Sequence, residues 1–270
     1  MEVLLGNGDG TFQTPLSLSA GNEPFPLAVG DFNGDGKLDF AVCDFNSGVY
    51  LFLGNGDGSF QAPALISAGT SPVALAVADL NGDGKLDLAV ADMNDPSNAD
   101  NGGVSVLLGN GDGTFQPPVF YPVGLFPTSL AIGDLNGDGK PDLAISSIVG
   151  AFGLEASALN VLLGNGDGTF KADVETGTGK SDYVSVFPLS VVIADFASSG
   201  KQGIAEVQGP AISILPGNGD GTFLGQLFFN ADQLPFQLVV DDFNGDGKPD
   251  IVVANSSSND ITVLLNTSAP

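Results

Sequence analysis

The apolar residues fall in short runs rich in Val, Leu, Ile and Ala, with clusters of Gly, Asn and Asp between them. Val73–Asp79, Leu86–Asp92, Val104–Leu108 and Thr114–Tyr121 are four such runs in succession, and this pattern predicts strands joined by tight turns. Runs such as Leu-Ala-Val-Ala-Asp do not alternate polar with apolar, so both faces of those strands are expected to be covered. Labelled A, B, C and D, the four strands recur along the whole chain.

Two turn motifs mark the repeat. The first, Asp-(Phe/Leu)-Asn-Gly-Asp-Gly-Lys-(Leu/Pro)-Asp, begins at Asp31, Asp79, Asp134 and Asp242 and joins A to B; a worn copy begins at Asp195. The second, Gly-Asn-Gly-Asp-Gly-(Thr/Ser)-Phe, begins at Gly6, Gly54, Gly109, Gly164 and Gly217 and joins C to D. Successive copies lie about 50 residues apart, and a four-stranded sheet repeated at that period and covered on both faces predicts a propeller blade. A β-helix is the rival, but its repeat is shorter and holds fewer strands. The expected fold is therefore all-β: a single propeller domain, 1–270, of five four-stranded repeats. The repeats run 1–24 (C and D only), 25–71, 72–126, 127–187, 188–234 and 235–270 (A to C only). A closed five-bladed ring would build its last blade from A, B and C of the C-terminus and D from residues near Thr11–Leu18. One C strand is then surplus, so the other expectation is a segment of a longer propeller.

The A–B motif carries candidate chemistry. Side-chain oxygens stand at positions 1, 3, 5 and 9, Gly at position 6 permits a sharp turn, and the carbonyl of position 7 adds another oxygen. Calcium takes six to eight oxygens, so the expected ligands are Asp31, Asn33, Asp35, Lys37 and Asp39; Asp79, Asn81, Asp83, Lys85 and Asp87; Asp134, Asn136, Asp138, Lys140 and Asp142; and Asp242, Asn244, Asp246, Lys248 and Asp250. Lys enters through its carbonyl, with its ammonium turned to water. The flanks are strands and the last acid is at position 9, which excludes an EF-hand; soft-ligand metals lack their His and Cys. Asn-Gly-Asp-Gly alone is a favourable turn, yet a turn gains nothing from three mutually repelling carboxylates. The worn copy has Ala197, Ser199 and Gly203 at positions 3, 5 and 9 and is expected to form the hairpin without calcium. The second motif has one carboxylate per copy, and its Phe is expected to enter the core at the start of strand D.

Composition narrows the partners. A formal charge of -25, with 32 acids against 7 Lys and no Arg or His, disfavours nucleic acid and anionic membranes and favours cations. No 18-residue apolar window exists, so no membrane insertion is expected. The N-terminus lacks the basic segment of a signal peptide. Cys43 is the only cysteine and lies in an apolar run, which places it in the core.

These motifs resemble the FG-GAP/VCBS repeats, the integrin-α-like propeller repeats common in bacterial secreted proteins. The resemblance covers nearly the whole chain. It implies a propeller, usually seven-bladed, with calcium in the A–B hairpins, an extracellular or cell-surface setting, and a role in adhesion or recognition.

A–B and C–D turns should share one rim, leaving the longer, variable connections on the other. A protein or glycan ligand is expected there, with Asp95, Asn98, Asp100, Asn101, Phe152, Glu155, Asp182 and Tyr183 as contact candidates. A structural spacer in a larger surface protein is the alternative. A carbohydrate-active enzyme such as a polysaccharide lyase is a weaker one. Without His or Arg, and with only Lys171 and Lys180 outside the loops, acid–base chemistry on a uronate has few candidate groups. The expectation is a binding protein, not an enzyme.

Overall fold

The computed structural model describes residues 1–93, 102–124, 126–149, 156–172, 174–177 and 190–268. Strands β1 (Glu2–Val3) and β2 (Leu16–Ser17) form a two-stranded sheet. Four-stranded antiparallel sheets follow in chain order. The first comprises β3 (Pro24–Gly30), β4 (Asp39–Asp44), β5 (Gly48–Phe52) and β6 (Ala64–Ile66). The second comprises β7 (Pro72–Ala78), β8 (Asp87–Asp92), β9 (Gly103–Leu107) and β10 (Val119–Pro122). The third comprises β11 (Pro127–Gly133), β12 (Asp142–Val149), β13 (Ala156–Leu162) and β14 (Val174–Gly177). The fourth comprises β15 (Val191–Ala194), β16 (Gly203–Gln208), β17 (Ala211–Leu215) and β18 (Leu227–Asn230). A three-stranded sheet of β19 (Pro235–Asp241), β20 (Asp250–Asn255) and β21 (Asp260–Leu264) comes last.

The B strands β4, β8 and β16 are buried at every position, which explains their lack of alternation, whereas β20 of the last sheet leaves Ala254 exposed. In β4, Ala41 and Cys43 pack toward Leu88 and Val90 of the second sheet, while Phe40 and Val42 pack toward Leu18 and Ala20 before the first. In β8 the parity repeats: Leu88 and Val90 face backward, and Ala89 and Ala91 face Leu143 and Ile145 of the third sheet. Side chains on both faces of one strand are thus apolar because both faces are interior. Cys43 is fully buried there, and desolvation pushes its thiol up to about 12.

Proline shapes the strand starts. Pro24, Pro72, Pro127 and Pro235 open the A strands, and a register shift follows each one. A residue without an N–H is tolerated at the first position of an edge strand and beside a bulge. The D strands start later than the apolar pattern predicts; β10 begins at Val119, after Gln116-Pro117-Pro118, because two successive prolines cannot donate to the ladder.

The mixed blade expected to close a five-bladed ring does not form. Residues Leu16–Ser17 pair with Glu2–Val3, not with β21, so the described residues give four complete sheets flanked by a C–D pair and an A–B–C triplet. Both C strands keep a place. The physical reason is loop length: β1 and β2 are neighbours in sequence, so their pairing closes a far shorter loop than pairing β2 with β21. Among the described residues no helix is long and apolar enough to cross a membrane.

Candidate metal centres

The A–B loops lie between β3 and β4, β7 and β8, β11 and β12, β15 and β16, and β19 and β20. Each is organised by the carboxylate at position 1. Asp79 accepts the amides of Gly82, Asp83 and Gly84 at 2.7, 3.1 and 2.8 Å, and Asp134 and Asp242 do the same in their loops. Asp31 takes the amides of Asp35 and Gly36 at 3.2 and 2.8 Å. The side-chain oxygen of position 3 accepts the position-5 amide (Asn33, Asn81, Asn136, Asn244), and position 5 accepts the position-7 amide (Asp35, Asp83, Asp138, Asp246). These bonds turn the chain back on itself within one nine-residue loop.

The position-9 acids behave differently. Asp39, Asp87, Asp142 and Asp250 are buried. One oxygen of each accepts the position-2 amide of its own loop, from Phe32, Leu80, Leu135 or Phe243, at 2.8–3.1 Å. The other accepts an amide from beyond strand C of the same sheet: Gly54, Gly109, Gly164 or Asn266, at 2.7–2.8 Å. In the first three loops the acid therefore clasps the A–B loop to the C–D hairpin, and both turns lie on one rim; Asp250 clasps its loop to the segment after β21. The hairpin residue must be Gly where this contact is closest, since a Cβ at Gly109 would stand 2.1 Å from the Leu86 carbonyl oxygen. Burial raises the pKa of Asp87 and Asp142 against the lowering effect of the amides; the charges of Asp83 and Asp79 add to the rise at Asp87, and that of Asp138 at Asp142.

The position-7 lysines are not simply turned to water. The Lys37 stem lies over the hairpin, so that a Cβ at Gly56 would meet its Cδ at 2.9 Å; Lys85, Lys140 and Lys201 cover Gly111, Gly166 and Gly219 likewise. The ammonium groups of Lys37, Lys85 and Lys140 pair with the position-5 acids at 3.1, 3.5 and 3.7 Å, while Lys248 donates to the Ser268 carbonyl. Long aliphatic stems commonly cover surface in this way while the charge stays wet.

In the worn loop Asp195 still accepts the amides of Ser199 and Gly200, at 3.0 and 2.6 Å. Gly203 has no carboxylate, so the clasp is lost, while the close approach of the position-8 carbonyl to the hairpin glycine, here Gln202 to Gly217, is kept as in the complete loops.

The donor chemistry of the four complete loops fits a hard divalent cation. Each offers only oxygen, three carboxylates stand against one lysine, and each clasped carboxylate oxygen retains a second lone pair. The convergence of positions 1, 5 and 9 on one point is not reached in this conformation, since no three Asp, Glu, His or Cys side chains among the described residues are grouped to hold a metal. The loop carboxylates accept backbone N–H groups here.

All eight ligand candidates on the opposite rim lie outside the described residues. Sequence reasoning missed Asp44 and Asp92, buried at the far ends of β4 and β8; Asp44 accepts the amides of Asn22 and Glu23, and Asp92 that of Ser71. The available signal was an Asp closing the apolar runs of β4 and β8 five residues after position 9, where the other repeats have Ser147, Gln208 and Asn255. The C–D motif phenylalanines are mostly half-buried, but Phe12 is exposed, contrary to expectation. Two clefts stand out. One of about 290 Å³ lies between the last two sheets and is walled by apolar groups including Phe196, Pro216, Leu264 and Leu265. The other, about 640 Å³ and open, carries neutral polar and aromatic groups, among them Ser19, Asn22, Ser47, Tyr50, Phe60 and Gln61.

A family model described as an FG-GAP-like repeat matches residues 1–42, 31–90, 96–145 and 197–253. No curated protein sequence matches the chain. Among solved structures, the BP39L lectin from Burkholderia pseudomallei is similar with a TM-score of 0.65 at 16% identity, over 97% of this chain and 73% of that one. BBS1N in complex with ARL6DN gives a TM-score of 0.56 at 10% identity, over 95% and 70%. An Agrocybe aegerita lectin that recognises non-reducing terminal N-acetylglucosamine gives 0.45 at 20%, over 98% and 88%.

Proposed function

We infer that this chain, which belongs to the FG-GAP-like repeat family, is a calcium-binding, propeller-like recognition module for extracellular glycans, with residues 1–270 acting as one domain. The observation that carries the reading is the fourfold recurrence of three carboxylates and an amide oxygen in one loop, each with a buried acid clasped beyond strand C, to a C–D hairpin in three loops and to Asn266 in the fourth. The ion would be held by Asp31, Asn33, Asp35, the Lys37 carbonyl and Asp39, and by the matching residues from Asp79, Asp134 and Asp242. When bound, calcium supplies positive charge that relieves repulsion among the loop acids. The clasp then links the first three loaded loops to their C–D hairpins and the fourth to Asn266, so order in the loop is passed along the rim. A role in binding rather than catalysis is supported by the lack of His and Arg, and a glycan ligand by the fold's likeness to a lectin.

The open cleft suits a neutral saccharide. Its Tyr50 and Phe60 rings offer apolar faces, and Asn22, Ser47 and Gln61 offer amides and a hydroxyl without any charge. An extracellular setting agrees with calcium sites of dissociation constant about 10⁻⁴–10⁻³ M, which are filled only outside the cell. Calcium titration by calorimetry should give four sites, and a glycan array probed with and without chelator should give calcium-dependent binding. Heat-free titration, or a silent array with a fully loaded protein, sinks the respective half of this reading.

A further inference from the structure

Three of the position-7 lysines lie between two acids on two different turns. Each side chain crosses from its A–B loop onto the C–D hairpin of the same sheet. A Cβ at Gly56 would meet three successive methylenes of Lys37, at 2.9, 3.2 and 3.3 Å. Lys85 over Gly111 and Lys140 over Gly166 make the same contact at 2.9–3.2 Å. The stem is thus seated along most of its length, and the ammonium at its end is left to choose a partner. The seat does not depend on an acid at position 5. Lys201 lies over Gly219 in the same way, at 3.1–3.4 Å, although position 5 of its loop is Ser199.

From that seat the ammonium meets the position-5 acid of its own loop. Asp35, Asp83 and Asp138 accept the position-7 amide on Oδ1, at 3.0, 3.0 and 3.1 Å. Their Oδ2 atoms face the ammonium groups of Lys37, Lys85 and Lys140, at 3.1, 3.5 and 3.7 Å. Both oxygens of each acid are therefore engaged by the residue two places on. The second acid directly follows the hairpin glycine: Asp57, Asp112 or Asp167. Its Oδ1 accepts both the hydroxyl and the amide of Ser59, Thr114 or Thr169. Among the described residues its Oδ2 has no donor. Those hydrogen bonds hold the hairpin carboxyl below its usual range, and the charge of the lysine adds to the lowering.

We propose that these lysines are tethered counter-ions of the empty loops, passed from the position-5 acid to the hairpin acid when a loop is loaded. Lys37 moves from Asp35 to Asp57, Lys85 from Asp83 to Asp112 and Lys140 from Asp138 to Asp167. This rests on the calcium reading above. In the empty loop the ammonium offsets part of the charge of three carboxylates. An Asp35 turned to a divalent ion cannot keep the ammonium, because two cations on one carboxylate repel each other. The seated stem leaves the ammonium beside the hairpin acid, which has an oxygen to receive it. The lysine thus competes with the ion and sets how tightly the loop holds it. The hairpin acid favours loading without touching the ion, and occupancy of the loop reaches the hairpin through the lysine as well as through the clasp. Lys248 stands outside the group, since its ammonium donates to the Ser268 carbonyl.

A double-mutant cycle on the intact chain tests this, with calcium affinity of the Asp31–Asp39 loop read from the Gly36 amide signal during an NMR titration. Lys37→Met keeps an apolar stem and the backbone carbonyl and removes the charge. Asp57→Asn keeps an Oδ1 acceptor for Ser59 and removes the charge. Lys37→Met should tighten calcium about two- to fivefold, the scale of an exposed ion pair. Asp57→Asn should weaken it by about two- to fivefold. In the Lys37→Met background Asp57→Asn should change nothing, because the acid acts only through the lysine. Equal weakening by Asp57→Asn with and without the lysine is plain long-range attraction and overturns the transfer. So does no weakening in either background, or a Lys37→Met chain that binds no more tightly. All three results leave calcium binding in place. A Gly36 signal indifferent to calcium removes the ion from this loop, and the transfer with it.

Discussion

The loop from Asp79 to Asp87 and the loop from Asp195 to Gly203 make the same turn with different chemistry. In both, the position-1 carboxylate gathers the amides of positions 5 and 6. Only the first has acids at positions 5 and 9 and an amide oxygen at position 3. The turn therefore forms around the position-1 aspartate in both, and the remaining acids of the complete loop add further bonds to it. Position 9 divides further from position 5: Asp87 is buried and tied to Leu80 and Gly109, whereas the Asp83 side chain is partly exposed and paired with Lys85.

Chelation is the broadest test of that contrast. With free calcium at about ten times the dissociation constant, each site contributes roughly 1.4 kcal/mol, so four contribute about 5–6 kcal/mol. That is comparable with the whole stability of a domain. Denaturant melts in calcium and in chelator should differ by this amount, and coincident curves would remove calcium from the account. Asp87→Ala comes next. It strips two buried amides of a charged acceptor and should cost about 3 kcal/mol. Because the clasp is a protein contact, most of that loss should remain in chelator; a loss seen only in calcium would make Asp87 a ligand without a clasping role.

Asp83→Ala should behave in the opposite way. It is expected to cost roughly 1.4 kcal/mol in calcium, almost nothing in chelator, and to lower the calorimetric stoichiometry from four to three. Smallest of all, the double change Ala197→Asn with Ser199→Asp should leave the stoichiometry at four. Position 9 of that loop is Gly203, where a Cβ would stand 2.7 Å from the Leu215 carbonyl oxygen, so no carboxylate completes the set. A fifth site in the calorimeter would show that position 9 is dispensable for binding.

Much of the fold was legible in the chain. Two turn motifs at a common period place every A–B and C–D connection, because Asn-Gly-Asp-Gly bends wherever it occurs and apolar runs on either side must pair. The two-faced burial of β4 and β8 was equally legible from their lack of a polar face, although β20, with the same pattern, leaves Ala254 exposed. The loop acids announced themselves by spacing. What they do at position 9 was not legible: Asp39 and Asp35 are the same residue type four positions apart, and the amides of Phe32 and of Gly54, just beyond β5, hold Asp39 inside.

Local sequence thus determined the turns, the strands and the number of acids per loop, because each depends on residues within one short stretch. Tertiary structure decided which strands ended up as partners, which acid became a clasp and which apolar faces were left open. Those outcomes depend on groups brought together from distant parts of the chain, as Gly113 is to Phe32. The two C strands show this most simply: Val3 and Val263 suit the same place by sequence, and the shorter loop between β1 and β2 gave each its own.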